Sequence, residues 1–403
     1  MRYFTNYMRA FDGGILDPYP VEKLKRVDRP TVQINEEKIT RVDQGEGGFN
    51  KARRGDYGPR YQNKLGRFKY PISHAQNRMA QSFAKLVDGE VAGHLAPDTN
   101  DPVVMAKHIK ALTYFLRADI VGICKLPPYA VFSHSSATGE PIDLRHKYAI
   151  AIVVDQDWKT SSASYGNDWI STSMGYLAYS NSAFISVMLA DYIRRLGYPA
   201  RAHHVTDYQV AVSPILLWAG LGEMCRAGDV VLNPFLGTRF KAAIVTTDLP
   251  LAIDKPIDFG LQDFCSKCEK CAKYCPSGAI SFGKDTRIMH NGYQKWDLDV
   301  KKCTQQRIGN KLGSGCSVCI QVCPWNKPYT PFHRFIQWTM INIPFARRFA
   351  VWGDDLLGYG KPDLKYKWWF DLVHEEGRLQ IPKVDIEKGK NRYRSNNNNA
   401  IDD

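Results

Sequence analysis

Eight of the ten cysteines fall between positions 265 and 323, in two runs. The first is Cys265-x2-Cys268-x2-Cys271-x3-Cys275-Pro276, and the second is Cys303-x12-Cys316-x2-Cys319-x3-Cys323-Pro324. The first run, and the C-x2-C-x3-C-P end of the second, have a spacing that holds [4Fe–4S] cubanes. In modules with two clusters the fourth cysteine of each run serves the other cube. One cube would then take Cys265, Cys268, Cys271 and Cys323, and the other Cys275, Cys303, Cys316 and Cys319. Short spacers let three thiolates from one tight turn reach three irons. The proline after the fourth cysteine turns the chain away, since it cannot continue a backbone ladder. Disulfides or two zinc sites are the competing readings; two complete runs with both C-x3-C-P endings favour iron–sulfur. Such a module moves electrons one at a time, at low potential.

At 403 residues the chain exceeds the usual single domain, so one large core plus a small module is expected. A hydrophobic content of 44% with 12% aromatics is that of a globular protein. Lys+Arg minus Asp+Glu is 54 − 41 = +13. That excess suits nucleic acid, an acidic redox partner, an anionic substrate or solubility alone, and eight cluster thiolates would reduce it. No run reaches the ~18–20 apolar residues of a membrane span. The start, MRYFTNYMRAFDGG, shows neither an apolar h-region nor a twin-arginine signal. The expectation is a soluble, cytoplasmic chain; an exported mature chain whose leader was removed is the alternative.

Residues 1–75 are polar and rich in Gly, Arg and Asp, and read as an irregular N-terminal extension wrapping a core. Residues 76–255 alternate helices and strands. Asp101-Pro102 opens a helix, with aspartate as N-cap and proline at its first position. ADIVGIC (118–124) and YAIAIVVD (148–155) are continuous apolar runs that suit buried strands. Ser182 to Leu196 is an amphipathic helix closed by Gly197; SPILLWAGLGE reads as turn-rich; FKAAIVTTDLPL follows. Residues 256–335 hold the cysteine module. The aromatic stretch 336–382 is expected to pack back over it, as is Trp325. The tail 383–403 reads as polar surface or disorder. The α/β region shows no G-x-G-x-x-G after a strand and no G-x4-G-K-[ST], which disfavours nicotinamide and P-loop readings. No D-x-H-x-x-G segment occurs either. Cys124 and Cys225 read as core residues.

The run TDLPLAIDKPIDFGLQDFCSKCEKCAKYCPSGAI, then GSGCSVCIQVCPWNKP, resembles the catalytic subunits of corrinoid-dependent reductive dehalogenases. AGLGE (219–223), ALTYFLRADIVGIC (111–124) and ADYIRRLGYPA (190–200) are similar to that family too. The resemblance covers about 100–335 and points to the soluble catabolic branch. It implies an α/β, nitroreductase-like domain that binds base-off cobalamin in place of flavin, with a bacterial-ferredoxin-like double [4Fe–4S] module inserted or appended. The implied activity is removal of bromide or chloride from a small, phenolic organohalide by cob(I)alamin chemistry. The clusters would relay electrons from an external ferredoxin, flavodoxin or reductase.

In that family the proton donor is a tyrosine at the start of the helix that ends in LGY, and Tyr179 has that place. The basic residue ahead of the TDLPL segment corresponds to Lys241, whose charge would favour the phenolate left after donation. Tyr176, one helical turn earlier, is the competing acid. Arg307, four residues after Cys303, is a candidate for an anionic substrate or else a cluster-side cation. The corrinoid-contacting residues and the oligomeric state carry no sequence signature. A related reading, tRNA epoxyqueuosine reductase, would place the acid at Asp207, but Tyr208-Gln209 follow Thr206-Asp207 where that enzyme has Ser-Gly. No nucleic acid partner is therefore expected. A third reading is an electron-transfer protein without catalysis of its own.

Overall fold

The computed structural model describes residues 17–62, 71–164, 166, 169–309, 315–363, 366, 373–375 and 378–380. The polar tail 383–403 and Trp368, Trp369 and Phe370 of the aromatic stretch lie outside the described residues. In chain order the principal helices are α1 (Gly48–Arg54), α2 (Pro71–Ser82), α3 (Pro102–Phe115), α4 (Trp169–Arg195) and α5 (Val212–Trp218). They are followed by α6 (Leu261–Cys268), α7 (Val300–Gly309), α8 (Pro331–Asn342) and α9 (Ala346–Leu356).

The strands β1 (Ile120–Lys125), β2 (Tyr148–Asp155), β3 (Ala200–His203) and β4 (Phe240–Thr247) form one sheet in the order β1-β2-β4-β3. Every neighbouring pair is antiparallel. Alternate residues serve two cores. Val121, Ile123, Ile150, Ile152 and Val245 pack against α3 and α4 through Ile109, Ile185, Leu189 and Ile193. Ile120, Cys124, Ala149, Ala151, Val153 and Ile244 face α5 and, beyond it, Phe259, Phe264, Trp296 and Trp325 of the cysteine module. Two buried faces explain why these strands read as unbroken apolar runs. Among the described residues no helix is long and apolar enough to cross a membrane.

The Asp101 carboxylate caps α3 as expected, accepting from the Val103 and Val104 amides at 2.8 and 3.1 Å. Two expectations are corrected. SPILLWAGLGE holds the helix α5, and its Pro214 is tolerated because it sits in the first turn, where amides have no helical acceptor. The helix expected from Ser182 begins instead at Trp169, so Tyr179 lies within it rather than at its start. Its first half hides from an apolar-period reading because Ser171, Thr172, Ser173 and Ser180 are buried there beside Ile170, Met174 and Tyr176. Ser173 Oγ meets Ser73 Oγ of α2 at 2.9 Å, and Ser180 Oγ donates to the Gln76 carbonyl at 2.8 Å.

The N-terminal extension reaches the cysteine module. Helix α1 lies against α7, and a Cβ added at Gly48 would come within 2.9 Å of Val300 Cγ1 and closer still to Thr304 Oγ1. Only glycine permits that approach. Helix α9 packs against α6, and α8 packs against α9.

Candidate active site

The cysteine module takes its geometry from α6, which carries Cys265 and Cys268. The start of this helix is held by Glu223 of the AGLGE segment. Glu223 Oε1 accepts from the Phe259 and Leu261 amides at 2.8 and 3.3 Å, and Oε2 accepts the Thr31 hydroxyl at 2.5 Å. Burial pushes the Glu223 carboxyl up to about 7, against these three hydrogen bonds, which favour the ionised form.

All ten cysteines are free thiols, which leaves the disulfide reading without support. Among the described residues no three His, Cys, Asp or Glu side chains are placed to hold a single metal ion. The cysteines instead form two quartets. The thiols acting on Cys271 include Cys265, Cys268 and Cys323, with Cys319 beyond them. Those acting on Cys319 are Cys316, Cys303 and Cys275. Cys323 thus lies near the thiols of the first run and Cys275 near those of the second, the neighbourhood that a crossed double cluster would use. Cys265, Cys268, Cys271 and Cys323 line a cavity with Trp325, and Cys225 and Cys319 share its wall. Cys225 is a buried core residue, as expected, but it is also the neighbour of this quartet. Burial pushes the Cys268 and Cys316 thiols up to about 12, so iron must displace their protons to bind. The donor set fits two cubanes: thiolate only, four to a quartet, with the Ala279 amide donating to Cys275 Sγ at 3.3 Å.

The first quartet is braced by buried charge. The Lys270 ammonium meets Asp354 and Asp355 at 2.5 and 2.7 Å, and Lys327 meets the other oxygen of Asp354 at 2.7 Å. Asp354 belongs to α9, so one carboxylate ties α9 to both cysteine runs. The buried Arg226 stacks on Trp296 at 4.1 Å and donates to the Cys265 carbonyl at 2.9 Å.

The second quartet abuts the α/β domain where α4 begins. The Gly315 amide donates to Thr172 Oγ1 at 2.7 Å, Ser317 Oγ donates to Ser171 Oγ at 3.0 Å, and the Ser317 amide bonds the Gly166 carbonyl. Cys316 lies between these two residues. Two turns further along α4 stands Tyr179. The Lys241 ammonium lies 5.1 Å from the centre of the Tyr179 ring, and the Tyr176 ring meets it edge-on at 6.0 Å. Lys241 comes from β4, opposite Val154 of β2. Just ahead of it, the buried Arg239 bonds Asp155 at 2.8 Å and the Asn326 side chain behind Cys323-Pro324. Sheet end and cluster loop are thus locked together. Among the described residues no acceptor engages the Lys241 ammonium and no hydrogen bond engages the Tyr179 hydroxyl. Both are half-buried, so neither polar group is completed by the protein around it.

The structure brings Tyr179, Lys241 and Tyr176 together and sends two other candidates elsewhere. Asp207 is engaged by Arg201 at 2.9 Å, in a polar cluster with His203 and Asp88. Arg307 packs on Phe49 of α1 at 4.4 Å, and its charge partly offsets the burial that raises the Cys303, Cys316 and Cys319 thiols. That is the cluster-side position. Sequence reasoning missed Tyr208 and Gln156. Burial raises the Tyr208 phenol, with Tyr179 adding to the effect, and its hydroxyl donates to the Ala242 carbonyl at 2.6 Å. Gln156 Nε2 and Lys241 Cε both flank Gly175, 3.4 and 3.6 Å from where its Cβ would lie. Neither residue has a local signature, because long-range strand pairing brings them there.

Residues 264–326 match a family model described as a 4Fe-4S double cluster binding domain. The chain is 29% identical to the tetrachloroethene reductive dehalogenase of Sulfurospirillum multivorans, over 66% of its own length and 58% of that protein. The catabolic reductive dehalogenase NpRdhA has the same fold, with a TM-score of 0.85 at 39% identity, over 91% of this chain and 53% of that one. NpRdhA is also known in complex with 3-bromo-4-hydroxybenzoic acid. The epoxyqueuosine reductase of Salmonella typhimurium is a more distant relative, 26% identical over 56% of this chain. The chain spans little more than half the length of the dehalogenases it matches. By sequence and by fold, this chain is similar to the reductive dehalogenases over the part of them that it spans.

Proposed function

We propose that the chain reduces a small phenolic organohalide, R–X + 2e⁻ + H⁺ → R–H + X⁻, at the Tyr179–Lys241 end of the sheet. The observation that carries this reading is the half-buried, unpartnered Tyr179–Lys241 pair, two helical turns from the contacts that seat Cys316. A phenol with a cation over its ring is a proton donor in the right electrostatic setting. The second quartet would be the one nearer the reaction, and the first the one further from it.

A base-off cobalamin, when bound, would supply the strong reductant that cleaves the carbon–halogen bond. Tyr179, Lys241, Tyr176, Gln156 and Tyr208 are the residues that would face it. Tyr179 Oη delivers the proton to carbon, and the Lys241 ammonium stabilises the phenolate that remains. Tyr208, buried and bonded to Ala242, keeps its proton and fixes the shape of the pocket. Soluble partners in this reading are the organohalide and an external one-electron donor.

The test is anaerobic turnover by the cluster- and cobalamin-loaded chain. One arm offers 3-bromo-4-hydroxybenzoic acid and related halophenols, the other tRNA bearing epoxyqueuosine. Halide release is expected from the first alone. Reduction of the tRNA without halide release would replace this reading.

A further inference from the structure

Helices α8 and α9 bury one face against the cluster module and leave the other open. Met340, Arg347 and Asp354 point inward, with Arg347 bonding Asp263 of α6 at 2.6 Å. On the open side Phe335, Trp338, Phe349, Trp352 and Leu356 are between 55 and 68% exposed. This corrects the expectation that the aromatic stretch packs back: the helices do, but their largest side chains do not. An exposed apolar patch of this extent marks an interaction site.

Between the two helices runs an apolar groove lined by Tyr329, Phe332, Ile336, Phe349 and Ala350. Its inner end is formed by Pro324 and Trp325. The same two residues wall the cavity that Cys265, Cys268, Cys271 and Cys323 line together with Cys319. One layer of side chains therefore separates the outside groove from the first quartet. The charges around the groove are one-sided. Arg334 and Arg348 are exposed, whereas the nearby acids among the described residues are taken: Asp354 by two lysines, Asp355 by Lys270, and Asp263 by Lys267 and Arg347.

We propose that the α8–α9 groove is the docking surface for a small acidic redox protein of the ferredoxin kind, which reduces the first cluster there. The proposal rests on the cluster part of the function above. Each encounter oxidises the donor's iron–sulfur centre by one electron and takes the cluster from [4Fe–4S]²⁺ to [4Fe–4S]¹⁺. Two encounters supply the two electrons of one dehalogenation, and no proton moves at the groove. An aromatic centre with an arginine rim suits a protein interface, and redox encounters are small enough to fit on two short helices. The unbalanced cationic rim favours an acidic partner and disfavours a second copy of this +13 chain.

The experiment is stopped-flow reduction of the full, cluster-loaded chain, without organohalide, by a reduced acidic [2Fe–2S] ferredoxin, followed by bleaching of the cluster absorbance. Dithionite serves as the small reductant that needs no docking. With ferredoxin the wild-type rate should fall steeply as salt is raised. Arg348→Glu and Phe349→Ser should each slow it by about tenfold or more while the dithionite rate stays at the wild-type value. Unchanged ferredoxin rates in both variants, or a rate indifferent to salt, would overturn the proposal. So would sedimentation showing the groove closed by a second copy. Ferredoxin reduction without halide release in the turnover assay would leave the groove standing and remove the dehalogenase reading. Clusters that dithionite cannot bleach would remove both.

Discussion

A half-buried ammonium with only an aromatic ring beside it is a costly arrangement in a folded protein unless something else completes it. Lys241 is in that position above Tyr179. Tyr179→Phe should leave both clusters intact by electron paramagnetic resonance and lower halide release by roughly 10²–10⁴-fold, the usual worth of a positioned acid. Wild-type turnover in that variant would pass the proton to Tyr176. Glu223 gives a second residue-level expectation. Burial pushes its carboxyl from about 4.5 up to about 7, so the fold binds its proton more tightly than the unfolded chain does. Its contribution is complete below about 4.5 and is lost as the pH rises through about 7, a swing of roughly 3 kcal/mol. Denaturant midpoints should therefore fall across that window, and Glu223→Gln should flatten the slope; an unaltered slope would assign it to other groups. Sequence exposed Tyr179 and Lys241 only through a family-like placement. It could not expose Tyr208, Gln156 or the Glu223 cap, which depend on strands and loops far apart in the chain.

Elements carry the cysteine crossing. The C-x2-C turns are local, so their spacing was readable, and the apolar strands were readable because both faces of the sheet are buried. The first half of α4 was not, since its buried Ser and Thr face another polar surface instead of a core. Cys323→Ser should remove the cluster that α6 supports and spare the one held by Cys275, Cys303, Cys316 and Cys319. Iron per chain would fall by about half. Loss of the other cluster instead would refute the crossed assignment. Asp354→Asn tests the brace from α9. It leaves Lys270 and Lys327 buried beside one another without their shared carboxylate, which should cost about 3–5 kcal/mol and loosen the first cluster before the second. Equal loss of both clusters on mild heating would argue against that brace.

At the scale of the whole molecule, electrons would cross from the α8–α9 face through two quartets to the far side of the sheet. The +13 charge, ambiguous as a bulk number, gains a location in Arg334 and Arg348 beside a groove whose acids are already paired. The direction of amphipathic helices is the part that sequence leaves open, since a periodic aromatic stripe looks alike whether it meets a core or a partner. The N-terminal extension has a role of another kind. Gly48 lets α1 lie flush on α7, the helix that bears Cys303, and Arg307 reaches from α7 to Phe49. A helix laid over α7 is expected to slow the access of oxygen to the second cluster. Gly48→Val should lift α1 from Val300 and Thr304, and the cluster absorbance of that variant should decay sooner under oxygen while its anaerobic spectrum matches the wild type. The least regular part of the chain would then be its oxygen shield.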